Sequence, residues 1–458
     1  MLCWQDAPKV APGEKNLAAP KIYFTARRLG LVGAAAIALM QFVAMARLLG
    51  PGIVSSYPNI EYDGFDWVLE GLYLRALAQG AAGAPLLCLR SPVFVLVTAL
   101  DACFGSSGMV VAGALCAAQF ASLVALLAIW RRLGLSGVAQ AALFVLAAAS
   151  PYAFFQTSIL ADSLAIAGML VSTRLLLEWF LTDDERRFRA AGAAGLLAGL
   201  TQLYGILPFL VGAGLSWVRE RRSGRSGWSR VFFTGAVVGL GGGLLFLWHA
   251  AIPHEHVPVQ FPLLRLSLDM AGFYANVWAW YLGSLAPVLL VLAVAALRRR
   301  SGALSPAVGF LVAATGVLVG LLFFYQCEEA RFSWYYFPLA LCLAAAGLAW
   351  LERTGWGRYG RGALAVSLVL VLAQALVVTP GDFWQPKVSE VQFDPQETWA
   401  AQLLCARPVD RLDLAAQCGG AGVYCDAARM PADIEPDEQR LLMDYVRLRL
   451  PPDGNGAR

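Results

Sequence analysis

The sequence predicts an all-α, polytopic membrane protein of about eleven transmembrane helices, with a long first extracytoplasmic loop. Three observations predict this. The 458 residues are 59% hydrophobic and only 14% charged, with a mean hydropathy of +0.61. That is more apolar surface than a soluble chain of this length buries. The apolar residues fall into membrane-length runs, and arginines gather at alternate ends of those runs, as the positive-inside rule requires. The net charge of +4 comes largely from these arginines. It therefore reads as a topology signal, and no nucleic-acid partner is expected.

Residues 1–29 form a basic cytoplasmic tail containing Lys9, Lys15, Lys21, Arg27 and Arg28. The tail is too long and unpatterned for a signal n-region, so the first helix, roughly 30–49, reads as uncleaved and outward-going. Residues 50–107 form the first extracytoplasmic loop. Within it, 92–104 is apolar but too short to cross and carries Asp101, which predicts an interfacial helix.

The next spans are predicted at roughly 108–130, ending on Arg131-Arg132, then 136–154, then 161–181, ending near Arg186, Arg187 and Arg189. Residues 190–218 are apolar throughout and basic at both ends. A single crossing would put Arg219-Glu220-Arg221-Arg222 outside. Two short helices breaking between Gln202 and Gly205 keep both ends inside. Further spans are predicted at roughly 231–250, 276–297, 306–325, 334–351 and 363–379, with Arg298-Arg299-Arg300, Arg353, Arg358 and Arg361 inside. The transmembrane domain is thus 30–379, and 380–458 is a small extracytoplasmic region. There Asp394-Pro395-Gln396-Glu397 reads as N-cap, N1 proline and capping-box glutamate, and Glu435-Pro436 opens another helix.

Of nine cysteines, Cys88, Cys103, Cys116 and Cys342 read as packing residues. Cys405, Cys418 and Cys425 predict one disulfide in the tail, with Cys327 as a further partner and the pairing left open. There is no CxxC pair, P-loop, GxSxG or HExxH.

The predicted outer face collects Glu61, Asp63, Asp66, Arg75, Arg90, Asp101, Asp162, His254, Glu255, His256, Asp269, Glu328, Glu329 and Arg331. Ionisable groups at helix mouths are costly unless paired or used. Asp63 and Asp66 would share a helical face. A carboxylate held beside an apolar wall can take a proton from a hydroxyl; alternatively, Asp63 caps a helix starting near Phe65. Arg331 lies between Glu328-Glu329 and the aromatics Phe332, Trp334, Tyr335 and Tyr336. It either grips a phosphate, with the aromatics holding a prenyl chain or sugar, or pairs with a glutamate inside an aromatic belt.

His254-Glu255-His256 is compatible with a divalent metal, but alternate spacing in a loop does not indicate one, so no metal or cofactor is assigned. Asp162 opens a span and reads as an N-cap or a site residue. Arg174 and Glu178 read as a structural pair. Gly235, Gly239 and Gly243 are spaced for close helix packing.

The order of these features resembles the GT-C glycosyltransferases, the multispanning enzymes that include protein O-mannosyltransferases and lipid A aminoarabinose transferases. The resemblance covers roughly residues 30–350. Asp63-Gly64-Phe65-Asp66-Trp67 resembles the acidic motif of that family's first outer loop. Arg90-Ser91-Pro92-Val93-Phe94, running to Phe104-Gly105, resembles its juxtamembrane helix. Ser150-Pro151 through Ala161-Asp162-Ser163-Leu164 is similar to its stretch ending in an acidic residue. Gly195-Leu196-Leu197-Ala198-Gly199-Leu200 resembles its broken-helix hairpin, and Ala330-Arg331-Phe332 through Phe337-Pro338 resembles its late arginine element. The acidic pair is not adjacent, Tyr204 stands where a lysine or arginine is common, and Asp162 replaces a glutamate.

The resemblance implies a bacterial inner-membrane enzyme. It would transfer sugar with inversion from a polyprenyl-phosphate donor to an extracytoplasmic lipid, glycan or protein acceptor. It implies Asp63 as base, with Asp66 orienting the acceptor or serving as base instead. Arg331, with Arg90, would meet the donor phosphate, and Asp162 would shape the site. Tyr335, Glu328, His254 and His256 are the other substrate-facing candidates. The competing classes are a transporter or flippase of envelope substrates and a non-catalytic envelope assembly component. A transporter would want polar groups near mid-membrane and related halves.

Overall fold

The computed structural model describes residues 30–39, 67, 70, 71, 73–75, 77–80, 89–104, 109–149, 161–224, 227–253, 272, 274, 275, 283–298, 305–324 and 333–377. Every regular element among them is helical. In chain order these are α1 (Gly30–Leu39), α2 (Pro92–Cys103), α3 (Met109–Arg132), α4 (Gly137–Ala149), α5 (Asp162–Thr182), α6 (Glu185–Thr201), a 3-10 turn (Leu203–Ile206), α7 (Leu207–Arg222), α8 (Trp228–Ala251), a 3-10 turn (Gly283–Leu285), α9 (Ala286–Arg298), α10 (Pro306–Phe324), α11 (Ser333–Arg353) and α12 (Gly357–Val377). Among the described residues, four helices are long and apolar enough to cross a membrane: α3, α5, α8 and most of α11.

The centre of the bundle is α5, whose Ile166, Met169, Leu170, Leu176, Leu177 and Trp179 are fully buried. It packs between α3 and α6. An ordered set of rings, with Trp179 against Phe180 and Phe188, and Phe188 against Phe209, ties it to α6 and α7. By contrast, α8 buries only Val237 and Gly241 and turns Phe232, Phe246 and Leu247 outward. A helix apolar all round with so little of it covered presents an apolar outer surface.

The segment after α5 is a hairpin. Asp183 adopts the left-handed conformation, φ 56°, and Asp184 caps α6 by accepting from the Arg186 amide at 3.0 Å. After Thr201 the chain turns extended at Gln202, makes the 3-10 turn and re-enters helix, with proline in the first turn of α7. The break thus falls in the Gln202–Gly205 stretch that the charge pattern predicts. Each leg is about 25 Å long. Glycines allow the tip to close: a Cβ on Gly205 would lie 2.7 Å from the Ala198 Cβ, and one on Gly195 would lie 2.9 Å from the Phe209 Cβ.

Ion pairs place both hairpin ends at one end of the bundle. Arg219 of α7 meets Asp183 at 3.0 Å. Arg230 at the start of α8 reaches both Glu185 and Glu220 and lies over Trp179, 4.7 Å from the ring centre. Beside them Glu178 meets Arg187 at 2.6 Å, Arg174 at 3.2 Å and Arg132 at 3.7 Å. The predicted Arg174–Glu178 pair is therefore present, inside a larger cluster. At the same end Ser136 donates to Glu352 at 2.5 Å, joining α4 to the end of α11.

Three expectations are corrected. Cβ atoms at Gly235, Gly239 and Gly243 would meet nothing within 4 Å, so among the described residues these glycines make no close helix contact; α8 turns that face outward. Helix α12 begins at Gly357 rather than near 363, carrying Arg358 and Arg361 on its first turns. Cys103, read as a packing residue, is exposed, whereas Cys116 and Cys342 are buried.

Candidate functional site at the mouth opposite the arginines

Because Glu178 and Thr182 lie at the arginine-rich end, Asp162 at the start of α5 stands about 30 Å away, at the other end of the bundle. It is 1% exposed. Ala161 takes the N-cap position in a helical conformation, with no side-chain cap of its own, and Asp162 is the first residue of α5. Asp162 also makes a tertiary contact: Tyr335 Oη donates to Asp162 Oδ1 at 2.5 Å. Tyr335, near the start of α11, is 2% exposed. The ring of Tyr204, at the hairpin tip, lies 5.6 Å from that of Tyr335. The starts of α5 and α11 and the tip of the hairpin therefore converge on one buried carboxylate. A hydroxyl-to-carboxylate bond is charge-assisted, and the first turn of a helix favours the anion. Such a carboxylate can fix a polar group of a ligand or hold a proton.

A second cluster lies at the same end, where the far end of α8 delivers Trp248. Glu70, 1% exposed, receives the Arg90 amide on both carboxylate oxygens, at 3.0 and 3.1 Å. The Arg90 carbonyl accepts from Trp248 Nε1 at 2.8 Å. The Arg90 guanidinium sits 5.6 Å from the centre of the Trp67 ring, within cation–π range.

Trp67 is itself held. Its carbonyl accepts from Thr98 Oγ1 at 2.7 Å, and its ring meets Phe94 edge-on at 5.3 Å. Gly71 lies so close to α2 that a Cβ would come within 2.5 Å of the Thr98 carbonyl carbon. Arg75 donates to the Ala102 carbonyl at 3.0 Å. Asp101 accepts from the Val110 amide at 2.9 Å, satisfying a donor in the first turn of α3. The predicted short helix at 92–104 is α2, with Leu96, Leu100 and Phe104 exposed along one side.

Of the predicted site residues, the structure thus joins Asp162 to Tyr335 and places Arg90 in the neighbouring cluster. Asp63, Asp66, Arg331, Glu328, His254 and His256 lie outside the described residues, as do Cys327 and the tail cysteines. Among the described residues, no group of three His, Cys, Asp or Glu side chains could hold a metal. Sequence reasoning missed Glu70 and Trp248. Glu70 is three residues beyond Trp67, on the same helical face. Trp248 ends an apolar helix, where an aromatic-belt residue is expected. No protein-family model and no curated protein matches this chain, which leaves its own residues and their geometry to indicate its chemistry.

Proposed function

We propose that the chain is an inverting glycosyltransferase of the bacterial inner membrane. It would have about eleven spans, its arginine-rich end in the cytoplasm and its site outside. The substrate is a polyprenyl-phosphate sugar, and the acceptor is an extracytoplasmic lipid, glycan or protein. The observation that carries this reading is the buried Asp162–Tyr335 hydrogen bond at the mouth opposite the arginines, with the hairpin tip against it. A carboxylate this enclosed at a helix mouth is costly unless it is used. Its position at an end of the bundle, rather than at mid-depth, favours surface chemistry over transport.

In this mechanism Asp63 takes the proton of an acceptor hydroxyl. The acceptor oxygen bonds to the anomeric carbon from the face opposite the lipid phosphate, and the carbon–oxygen bond to that phosphate breaks. The bonding electrons leave with the polyprenyl phosphate, whose charge Arg331 and Arg90 stabilise. Asp66 orients the acceptor, and Asp162, fixed by Tyr335, orients the donor sugar.

The test is transfer of labelled sugar from polyprenyl-phosphate donors into a membrane lipid extract by purified protein, without any ion gradient. Wild type should form a new product, and Asp63→Asn should lose on the order of 100-fold or more in rate. Full turnover by Asp63→Asn removes the base assignment. No transfer from any donor, with gradient-dependent uptake instead, moves the function to transport.

A further inference from the structure

Near the arginine-rich end, α7 and α8 diverge around an open groove of about 560 Å³. Leu210, Gly214 and Trp217 line one side, and Trp228, Gly235 and Val238 the other. We infer that this groove holds an acyl chain of an anionic phospholipid from the leaflet at that end, with the lipid phosphate at Arg221 and Arg222.

Three observations carry this. First, the groove has the length of one leaflet. From Trp228 to Val238, α8 rises about 15 Å, half of a hydrocarbon core of about 30 Å. A helix from a second chain would follow α8 over its full length, but the groove stops at its middle. Second, the tryptophans lie at the end where a headgroup would sit, as interfacial indoles do. Third, the charge there is unbalanced. Arg219 is paired with Asp183, and Arg230 with Glu185 and Glu220. Among the described residues, Arg221 and Arg222 form no ion pair. The Arg221 guanidinium lies over Trp217, 5.0 Å from its ring centre, and so stands directly beside the groove. An apolar slot of one-leaflet depth under uncompensated arginines fits an anionic lipid and disfavours a zwitterionic one. The site rests on the membrane reading of the fold but not on transferase chemistry.

The test uses the full chain in detergent, with phosphatidylglycerol and phosphatidylcholine of matched chains and native mass spectrometry of retained lipid. Wild type should retain phosphatidylglycerol over phosphatidylcholine by on the order of fivefold or more. Gly214→Leu and Gly235→Leu fill the groove. A Cβ at either position meets nothing within 4 Å, so the fold accommodates them, and both should lose the retained lipid. Arg221→Gln with Arg222→Gln should keep the lipid and lose the preference. Equal retention by the groove-filling variants, or no preference in wild type, overturns the site. A dimer that Gly235→Leu dissociates overturns it too, because the groove is then a subunit interface.

Discussion

Asp162 and Tyr335 stand 173 residues apart in sequence, and their side chains meet at 2.5 Å inside the bundle. Removing the donor leaves a buried carboxylate without its hydroxyl. Tyr335→Phe should therefore destabilise the protein by about 1–3 kcal/mol, and Asp162→Asn, which keeps an acceptor, by less. A double-mutant cycle read by denaturant titration should give a coupling of about 0.5–3 kcal/mol. Additive effects would mean that the two side chains act independently.

Gly205 closes the hairpin tip against Ala198. Gly205→Ala should lower stability by about 1–3 kcal/mol, because the added carbon overlaps backbone as well as side chain. Gly239→Ala is the matched control. Its Cβ meets nothing, and alanine is the better helix former, so the melting temperature should hold or rise. Equal losses in the two variants would remove the close-packing account of the tip.

Glu178 is the shared partner of Arg132, Arg174 and Arg187. Glu178→Ala should cost about 1–3 kcal/mol, less than for a fully enclosed pair, because the three arginines are 37–56% exposed and water screens them. The loss should shrink as salt rises, since salt screens the repulsion left among the arginines. A loss independent of salt would point to packing instead.

Asp101 reaches from α2 to the Val110 amide. Asp101→Ala should cost about 1 kcal/mol, as loss of a helix cap does, while Asp101→Asn should retain most of the stability. Hydrogen exchange at the Val110 amide is the direct readout, and unchanged protection in Asp101→Ala would show that the bond contributes nothing.

Much of the framework was legible in the sequence because the relevant physics is local. Apolar runs and arginine clusters locate α3, α5, α8, α10 and α11 closely, and basic residues at both ends of 190–218 demanded a hairpin. The site was less legible. No local rule pairs Asp162 with Tyr335, and an acidic residue opening a helix looks like a cap. The helical backbone at Ala161, φ −60° and ψ −24°, puts Asp162 in the first turn of α5, while its Tyr335 partner lies 173 residues away in the sequence. Glycine spacing in α8 is likewise silent about what faces it. The spacing is right for packing, but the helix turns that face outward.

The hairpin of α6 and α7 has a consequence of parity. A segment that starts and finishes at the same end of the bundle leaves the next helix, α8, starting from that end whatever the segment's length. Arg219 against Asp183, and Arg230 against Glu185 and Glu220, close it at its base like a clasp. A change in the length of the loop between Asp184 and Gly227 would thus leave α8 starting from the same end, provided Phe188 and Phe209 still packed beside Trp179. The part of the chain that carries Tyr204 to the mouth can therefore vary in length without moving the start of α8 to the other end.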